Sequence, residues 1–373
     1  MNSFSLDQKT LFSVLSWMQP ICTKRTPLDL TTSLLFQIGY KEVIIKGTDL
    51  EVSLQATCPV INADLLDGHQ FLVSGKRIYD MVKELEGIIT FSVHANQLHI
   101  KTVSIDLTLN IKDAEGFPPF PERIENAMQI PVDLLQKLLE KVSFLIPQNN
   151  ANPALNGLLL EIGVAGLTMT TTDGHSLAQV QSSRCSLTES KKWLIPRRAI
   201  FEVKKLLESA DGESIFIGLC NNQLVFSGQH FNFFTKLLAN QFPEYLPILQ
   251  KDGFIPATID RASLIKTLRR SVCLLSGSFI ATQFLFDEEI LQVHMHNKEV
   301  GKLKEALPLK GLLGAALDIR FYAPYLLSGL QAFDDDHITF YVKGSARPIM
   351  FQASHDGFNL TYLVMPVSPS HGT

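Results

Sequence analysis

FLVSGKRIYDMVKEL (71–85), WLIPRRAIFEVKKLL (193–207) and ALDIRFYAPYLLSGL (316–330) are three copies of one block, set 122 and 123 residues apart without a gap. Each copy reads as a short apolar strand running into an amphipathic helix. The same interval returns around the block. TDLEVSL from Thr48 and TDGHSLA from Thr172 are 124 apart, with a fainter echo near Asn297. Phe-Pro at Phe117 and Phe242 closes the first two units. A period this long means tandem domains, because solenoid repeats run at roughly 20–50 residues. At ~100–200 residues per domain, the 373-residue chain holds three.

Each unit opens with a helical pattern: LDQKTLFSVLSWM, VDLLQKLLEKVSFL and DRASLIKTLRRSVCLL place apolar residues at i, i+3, i+4 and i+7. Asp7 and Asp260 are expected as N-caps, and Pro131 in a first helical turn. Alternating stretches follow, such as EVIIKGTDLEVSLQA and LLLEIGVAGLTMTTTD, broken into hairpins by Gly or acidic turns. The spacing predicts helices near 7–18, 75–85, 132–144, 197–208, 260–273 and 320–331. The expected class is α+β, with two helices on an antiparallel sheet in every unit. Proline-bearing connections, FPPFPERIEN and FPEYLPILQKD, put the domains at 1–126, 127–252 and 253–373.

A hydrophobic fraction of 46% with 19% charged residues fits folded domains. No apolar run approaches the ~18–20 residues that span a bilayer. The start carries Asp7 and no basic-then-apolar signal pattern, so the expected compartment is the cytoplasm. Cys22, Cys58, Cys185, Cys220 and Cys273 are scattered and odd in number, which reads as reduced packing residues. A net charge of −4 argues against a nucleic-acid partner only until its distribution is read. The six helical segments hold 15 basic residues against 8 acidic ones, whereas the remainder holds 18 against 29.

Several segments together resemble the bacterial sliding clamp family, the β subunit of DNA polymerase III: GTDLEVS (47–53), ALNGLLLE (154–161), TTDGHSLA (171–178), LIPRRAIFEVKKLL (194–207), QFPEYLPIL (241–249) and YLVMPV (362–367). The resemblance covers essentially the whole chain. It implies three clamp domains and a head-to-tail homodimer closing a six-domain ring, with helices toward the hole. A lumen rich in Lys and Arg attracts phosphates without reading sequence, so such a ring slides. On this resemblance Arg25, Lys76, Arg77, Arg197 and Arg198 are candidates to touch duplex DNA. Asn149 joins them, although the loop NNANP lacks an aromatic pair familiar in the family.

The resemblance also implies a pocket for a short peptide motif of polymerases and other replication and repair proteins. Its matching positions are Leu155, Thr172, Gly174, His175, Leu177, Phe242, Pro243, Ile248, Phe279, Tyr325, Leu363, Val364, Met365 and Pro366. An apolar cleft suits aliphatic and aromatic anchors, and Met365 can repack around different ones. Ser176 and Pro247 stand where arginines are common, and the tail SPSHGT replaces a shorter basic-apolar end. The subunit interface is expected to join Leu107 and Leu109 of a first-domain edge strand to Cys273 and Leu274 of the third. The partners implied are duplex DNA, a second copy, the polymerase catalytic subunit, an ATP-driven clamp loader and other clamp-motif proteins.

No cofactor or metal is called for. Asp173, His175 and Ser176 superficially suggest a catalytic trio, but a nucleophile elbow reads G-x-S-x-G, which is absent. His294 and His296 alternate on one strand, which suits a metal site geometrically, but no Cys or third His lies near in sequence. The chain reads as a non-catalytic polymerase subunit, with a tandem-domain enzyme as the competing class.

Overall fold

The computed structural model describes residues 2–367 apart from 65–67, 122–124, 211–213, 221, 277–278, 313, 315 and 356. The C-terminal SPSHGT therefore lies outside the described residues. Three runs of elements repeat one order. The first is β1 (Asn2–Asp7), α1 (Gln8–Cys22), β2 (Ser33–Ile38), β3 (Glu42–Thr48), β4 (Val52–Pro59), a short β5 (Asn62–Asp64), β6 (Gln70–Ser74), α2 (Gly75–Lys83), β7 (Ile88–His94), β8 (Gln97–Lys101) and β9 (Asp106–Lys112). The second is β10 (Glu125–Pro131), α3 (Val132–Ser143), β11 (Gly157–Gly163), β12 (Gly166–Thr172), β13 (Ser176–Ser182), β14 (Lys191–Pro196), α4 (Arg197–Glu208), β15 (Ser214–Cys220), β16 (Gln223–Ser227) and β17 (Phe231–Lys236). The third is β18 (Ile255–Asp260), α5 (Arg261–Val272), β19 (Thr282–Phe286), β20 (Ile290–Asn297), β21 (Gly301–Pro308), β22 (Leu317–Phe321), α6 (Ala323–Leu330), β23 (His337–Val342), β24 (Ile349–His355) and β25 (Phe358–Val364). The block that opened the sequence reading is β6–α2, β14–α4 and β22–α6.

Asp7 and Asp260 cap their helices as expected. Asp7 accepts from the Thr10 N–H at 3.0 Å and Asp260 from the Ser263 N–H at 2.7 Å. The Thr10 N–H at Asp7, and the Ser263 side chain followed by its N–H at Asp260, hold both carboxyls below their ordinary range. Three expectations need correction. Helix α1 runs a turn further than its pattern, through Pro20, because Ile21 and Cys22 are buried. Pro131 closes strand β10, paired with Ser214, rather than opening α3. Helix α6 starts at Ala323 because Leu317–Phe321 pairs with β19, and Pro324 occupies its first turn.

Packing divides the chain into two compact units that do not coincide with the repeats. One comprises Met1–Leu135 and Phe201–Leu237, the other Gln136–Ile200 and Leu238–Thr373. Unit 1 carries a 13-stranded sheet in the order β10-β15-β16-β17-β4-β3-β2-β6-β9-β8-β7-β1-β5. Unit 2 carries an eight-stranded sheet, β14-β11-β12-β13-β25-β24-β23-β18, and a four-stranded one, β21-β20-β19-β22. Every pairing is antiparallel. Both large sheets are continuous because the last strand of one repeat joins the strand after the Thr-Asp turn of the repeat before it. Thus β17 pairs with β4 (Phe233 opposite Leu54), and β25 pairs with β13 (Leu363 opposite Leu177).

The Phe-Pro connections dock instead of crossing open solvent. In unit 1, Phe120 meets the Phe234 ring edge-on at 6.0 Å. In unit 2, Phe242 and Tyr245 are buried with Leu159, Leu177, Leu194 and Leu363. The Tyr245 hydroxyl donates to Glu161 Oε2 at 2.6 Å, while Lys192 pairs with Glu161 Oε1 at 3.1 Å. The cysteines are all free; four are buried and Cys273 is exposed, contrary to a packing role for all five. Burial lifts the Cys22 thiol to about 11 and Cys58 to about 12, which keeps both unreactive. Among the described residues no helix is long and apolar enough to cross a membrane.

Burial, with Glu161 beside it, pushes the Tyr245 hydroxyl up to about 12. A folded-state value raised above the ordinary ~10 gives stability that is complete below pH ~10 and lost as pH rises through ~12. Tyr245→Phe is expected to cost about 1–2 kcal/mol at neutral pH. It should also flatten the loss between pH 10 and 12, measured as the difference in denaturant midpoint between the two proteins. Tyr362, also raised by burial, titrates in both and cancels.

Candidate functional site

The turn after β12 is built by its own side chains. Asp173 Oδ1 accepts from the His175 N–H at 2.8 Å and the Ser176 N–H at 2.7 Å. Thr172 Oγ1 accepts from the Gly174 N–H at 3.1 Å and donates to the Ser176 carbonyl at 2.6 Å. Gly174 sits at φ +96°, the left-handed region where a Cβ is costly. This geometry answers the catalytic reading. Asp173 is committed to backbone amides, and the exposed His175 ring lies flat on Tyr325, 5.4 Å between centroids with 13° between planes. Ser176 is buried, with no hydrogen-bond partner for its hydroxyl among the described residues. Its side chain therefore does not reach the surface where an arginine was the comparison.

From His175 an aromatic row runs across unit 2. Tyr325 meets Tyr322 edge-on at 5.0 Å, and Tyr322 stacks on Phe279 at 4.5 Å. Phe279 is 48% exposed, unusual for a phenylalanine that already has a partner. Tyr322 was missed in the sequence, although its spacing of three from Tyr325 at the start of α6 was the available signal. The strands flanking the turn also carry an apolar floor. Leu177, Leu363 and Phe242 belong to one buried cluster, with Ile248 at its margin. Leu155 is buried, its Cδ1 beside the bare face of Gly174. The Met365 N–H donates to the His175 carbonyl at 2.9 Å, which continues the β13–β25 ladder past the strand end and leaves Met365 and Pro366 half-buried.

Two expected members stand apart. Val364 is fully buried and supports β25 from behind. Pro243 is exposed and lines a hollow of about 160 Å³ with Glu161, Lys192 and Leu246, which the floor reaches only through Phe242 and Tyr245. Pro247 is exposed in a 3-10 turn.

The equivalent junction in unit 1 has the same frame and different chemistry. Asp49 Oδ1 accepts from the Glu51 and Val52 N–H groups, Thr48 Oγ1 from the Leu50 N–H, and the Lys236 N–H donates to the Glu51 carbonyl at 3.0 Å. Where unit 2 has Gly174, His175 and Met365, unit 1 has Leu50, Glu51 and Lys236. Leu50 takes φ +74° despite its side chain, and Glu51 pairs with Lys24. One junction is charged, the other apolar and aromatic.

Of the basic candidates, Arg25, Lys76 and Arg77 are exposed in unit 1, and Arg197 and Arg198 are half-buried in unit 2. Lys76–Arg77 and Arg197–Arg198 occupy the first turns of α2 and α4, neither of which has an acidic residue there. Paired cations at a helix N-terminus oppose the helix dipole yet suit a phosphate, although at α4 the Arg197 N–H is already donated to the Asn156 carbonyl at 2.9 Å. Asn149 is exposed beside a loop knitted by asparagines. Asn152 caps the turn Pro153–Leu155, and Asn150 Nδ2 reaches the Asp173 carbonyl at 3.2 Å. On the third repeat, His294 and His296 face Lys304 and Lys302 across the ladder, cations where a metal site would need further ligands.

Family models of the DNA polymerase III beta subunit match the chain three times. The N-terminal domain matches residues 2–121, the central domain 129–244 and the C-terminal domain 248–368. The chain belongs to the DNA polymerase III beta subunit family. A relative from Staphylococcus aureus named beta sliding clamp is 24% identical over 376 residues, covering 98% of this chain and 99% of its own. The fold matches the Pseudomonas aeruginosa DNA polymerase III subunit beta with a TM-score of 0.89 at 24% identity, over 98% of this chain and 100% of that one. The Bacillus subtilis DNA polymerase sliding clamp gives 0.90 at 21% identity, over 98% and 99%. Family membership accounts for the three repeats and for their order.

If the first-turn cations of α2 are kept for an anion at the expense of the helix, Lys76→Glu with Arg77→Glu should raise stability. The expected gain is about 0.3–1 kcal/mol per site at low salt, read as a higher melting temperature, together with weaker retention on DNA. A lower melting temperature would show that these cations serve the fold.

Proposed function

We propose that this chain is a DNA sliding clamp, a non-catalytic processivity factor made of three clamp domains (1–126, 127–252 and 253–373). Two copies close head to tail into a ring around duplex DNA. The observation that carries this reading is the pattern of strand junctions. The last strands of repeats two and three, β17 and β25, pair with β4 and β13 of the preceding repeats. That leaves the last strand of repeat one and the corresponding inner strand of repeat three. Strand β9 pairs with β8 over Asp106–Asn110, and its other edge has no ladder there among the described residues. Strand β21 lies at the end of its four-stranded sheet.

An unpaired edge is an aggregation hazard unless covered. Applying the same junction between two copies covers both edges and closes the assembly, as a heterologous contact must if it is not to form a filament. Leu107 and Leu109 are half-buried on the β9 edge, and Leu274 lies beside Gly301 at the start of β21. Cys273, exposed at the end of α5, completes that surface.

In this reading Arg25, Lys76, Arg77, Asn149, Arg197 and Arg198 touch the DNA backbone without reading sequence. The aromatic row and the floor under His175 and Met365 take a short peptide from the replicative polymerase, from other replication and repair proteins, and from the loader that opens the ring. An aliphatic anchor fits over Leu177 and Leu363, and an aromatic one fits along Tyr325, Tyr322 and Phe279.

Loading onto nicked circular DNA, followed by linearisation, tests the ring. Retention on the circle and loss from the linear form is the expected result; equal retention on both would refute topological linkage. Met365→Ala should weaken polymerase-peptide binding at least tenfold in a titration while leaving the dimer intact by sedimentation. Unchanged peptide affinity would remove Met365 from the site.

A further inference from the structure

Unit 1 contains a cavity of about 440 Å³ between α1, the outer end of β4, the β16–β17 turn and the residues following α4. It lies away from the charged junction of that unit and belongs to none of the sites above. Its volume is within the ~300–1,000 Å³ range of small-molecule sites. We propose that it binds one unpaired nucleotide, with its base inside and its phosphate at the mouth.

The lining is divided in a way that specifies this chemistry. Val14, Val132, Ile215 and Phe231 are buried and form an apolar floor. Trp17 is half-buried above it and meets Phe231 at 6.2 Å with 68° between the planes. That tilt is an edge-to-face contact and not a parallel stack. A flat heterocycle can lie there, and base–aromatic stacking tolerates any base.

Around the floor stand groups that both donate and accept hydrogen bonds: the hydroxyls of Ser13 and Ser214 and the imidazole of His230. Lys9, exposed one turn before Ser13 on α1, puts an ammonium at the mouth. A nucleotide matches the floor with its base, the rim with its polar edge and the cation with its phosphate. Its source is either a free mononucleotide or an unpaired position in a DNA strand. The inference does not depend on ring closure, and its test does not use the ring.

Calorimetric titration of the full chain with deoxythymidine monophosphate, thymidine and an eight-residue oligothymidylate separates the cases. The expected result is saturable binding of one deoxythymidine monophosphate per chain. Binding should be at least fivefold weaker for thymidine and for Lys9→Ala, and lost in Ser13→Phe, which fills the cavity. Binding of the oligonucleotide alone, likewise lost in Ser13→Phe, assigns the ligand to a strand. If Ser13→Phe melts early, Ser209→Phe closes the cavity from the opposite wall and replaces it. No saturable binding of either nucleotide form, affinity unchanged by the filling variant, or thymidine binding as tightly as the monophosphate would each overturn the proposal.

Discussion

One backbone constraint underlies this molecule: the last strand of a repeat must find an antiparallel partner outside its own repeat. An unpaired strand edge leaves amide and carbonyl groups without partners or exposes them to other chains. Within the chain the need is met twice, by β17 on β4 and by β25 on β13. At both junctions the ladder extends one step past the last residue pair, through Lys236 to Glu51 and through Met365 to His175. The hydrogen bonds that join consecutive repeats thus also fix the position of the turn that differs between them.

That turn shows how one frame yields two chemistries. Thr and Asp build it identically in both places, because a short polar side chain can satisfy the amides that a tight turn leaves open. Function enters through three neighbouring positions. Glycine in place of Leu50 removes both strain and bulk. Histidine in place of Glu51 exchanges an ion pair with Lys24 for a ring lying on Tyr325. Methionine in place of Lys236 exchanges a charge for a polarizable, adaptable surface. All three changes coincide at the second junction, where the surface is apolar and aromatic.

Stability and function pull against each other in the helices. Cations at the starts of α2 and α4 are badly placed for the helix dipole. The same N-termini become favourable once an anion arrives. Excess positive charge on the helices within a chain of net charge −4 follows the same logic. On the proposed reading an anionic partner is met by one kind of element, while the remainder of the chain stays acidic.

The sequence by itself determined the repeat, the element order within it and the N-caps at Asp7 and Asp260, because these rest on local periodicity and on side chains reaching two or three residues away. It also made Thr172, Gly174 and His175 legible, since a Thr-Asp-Gly turn is a local structure. Tertiary structure alone decided the rest. Val364 and Leu363 are neighbours in sequence, but only the packing on the two faces of β25 shows that Val364 supports the strand from behind while Leu363 joins the floor. Ser176 looked available and is buried, and Tyr322 entered the aromatic row because α6 begins later than its pattern suggested. Packing units that cut through the central repeat were equally invisible. Burial and edge pairing depend on strands more than a hundred residues apart, and no local pattern records which of them meet.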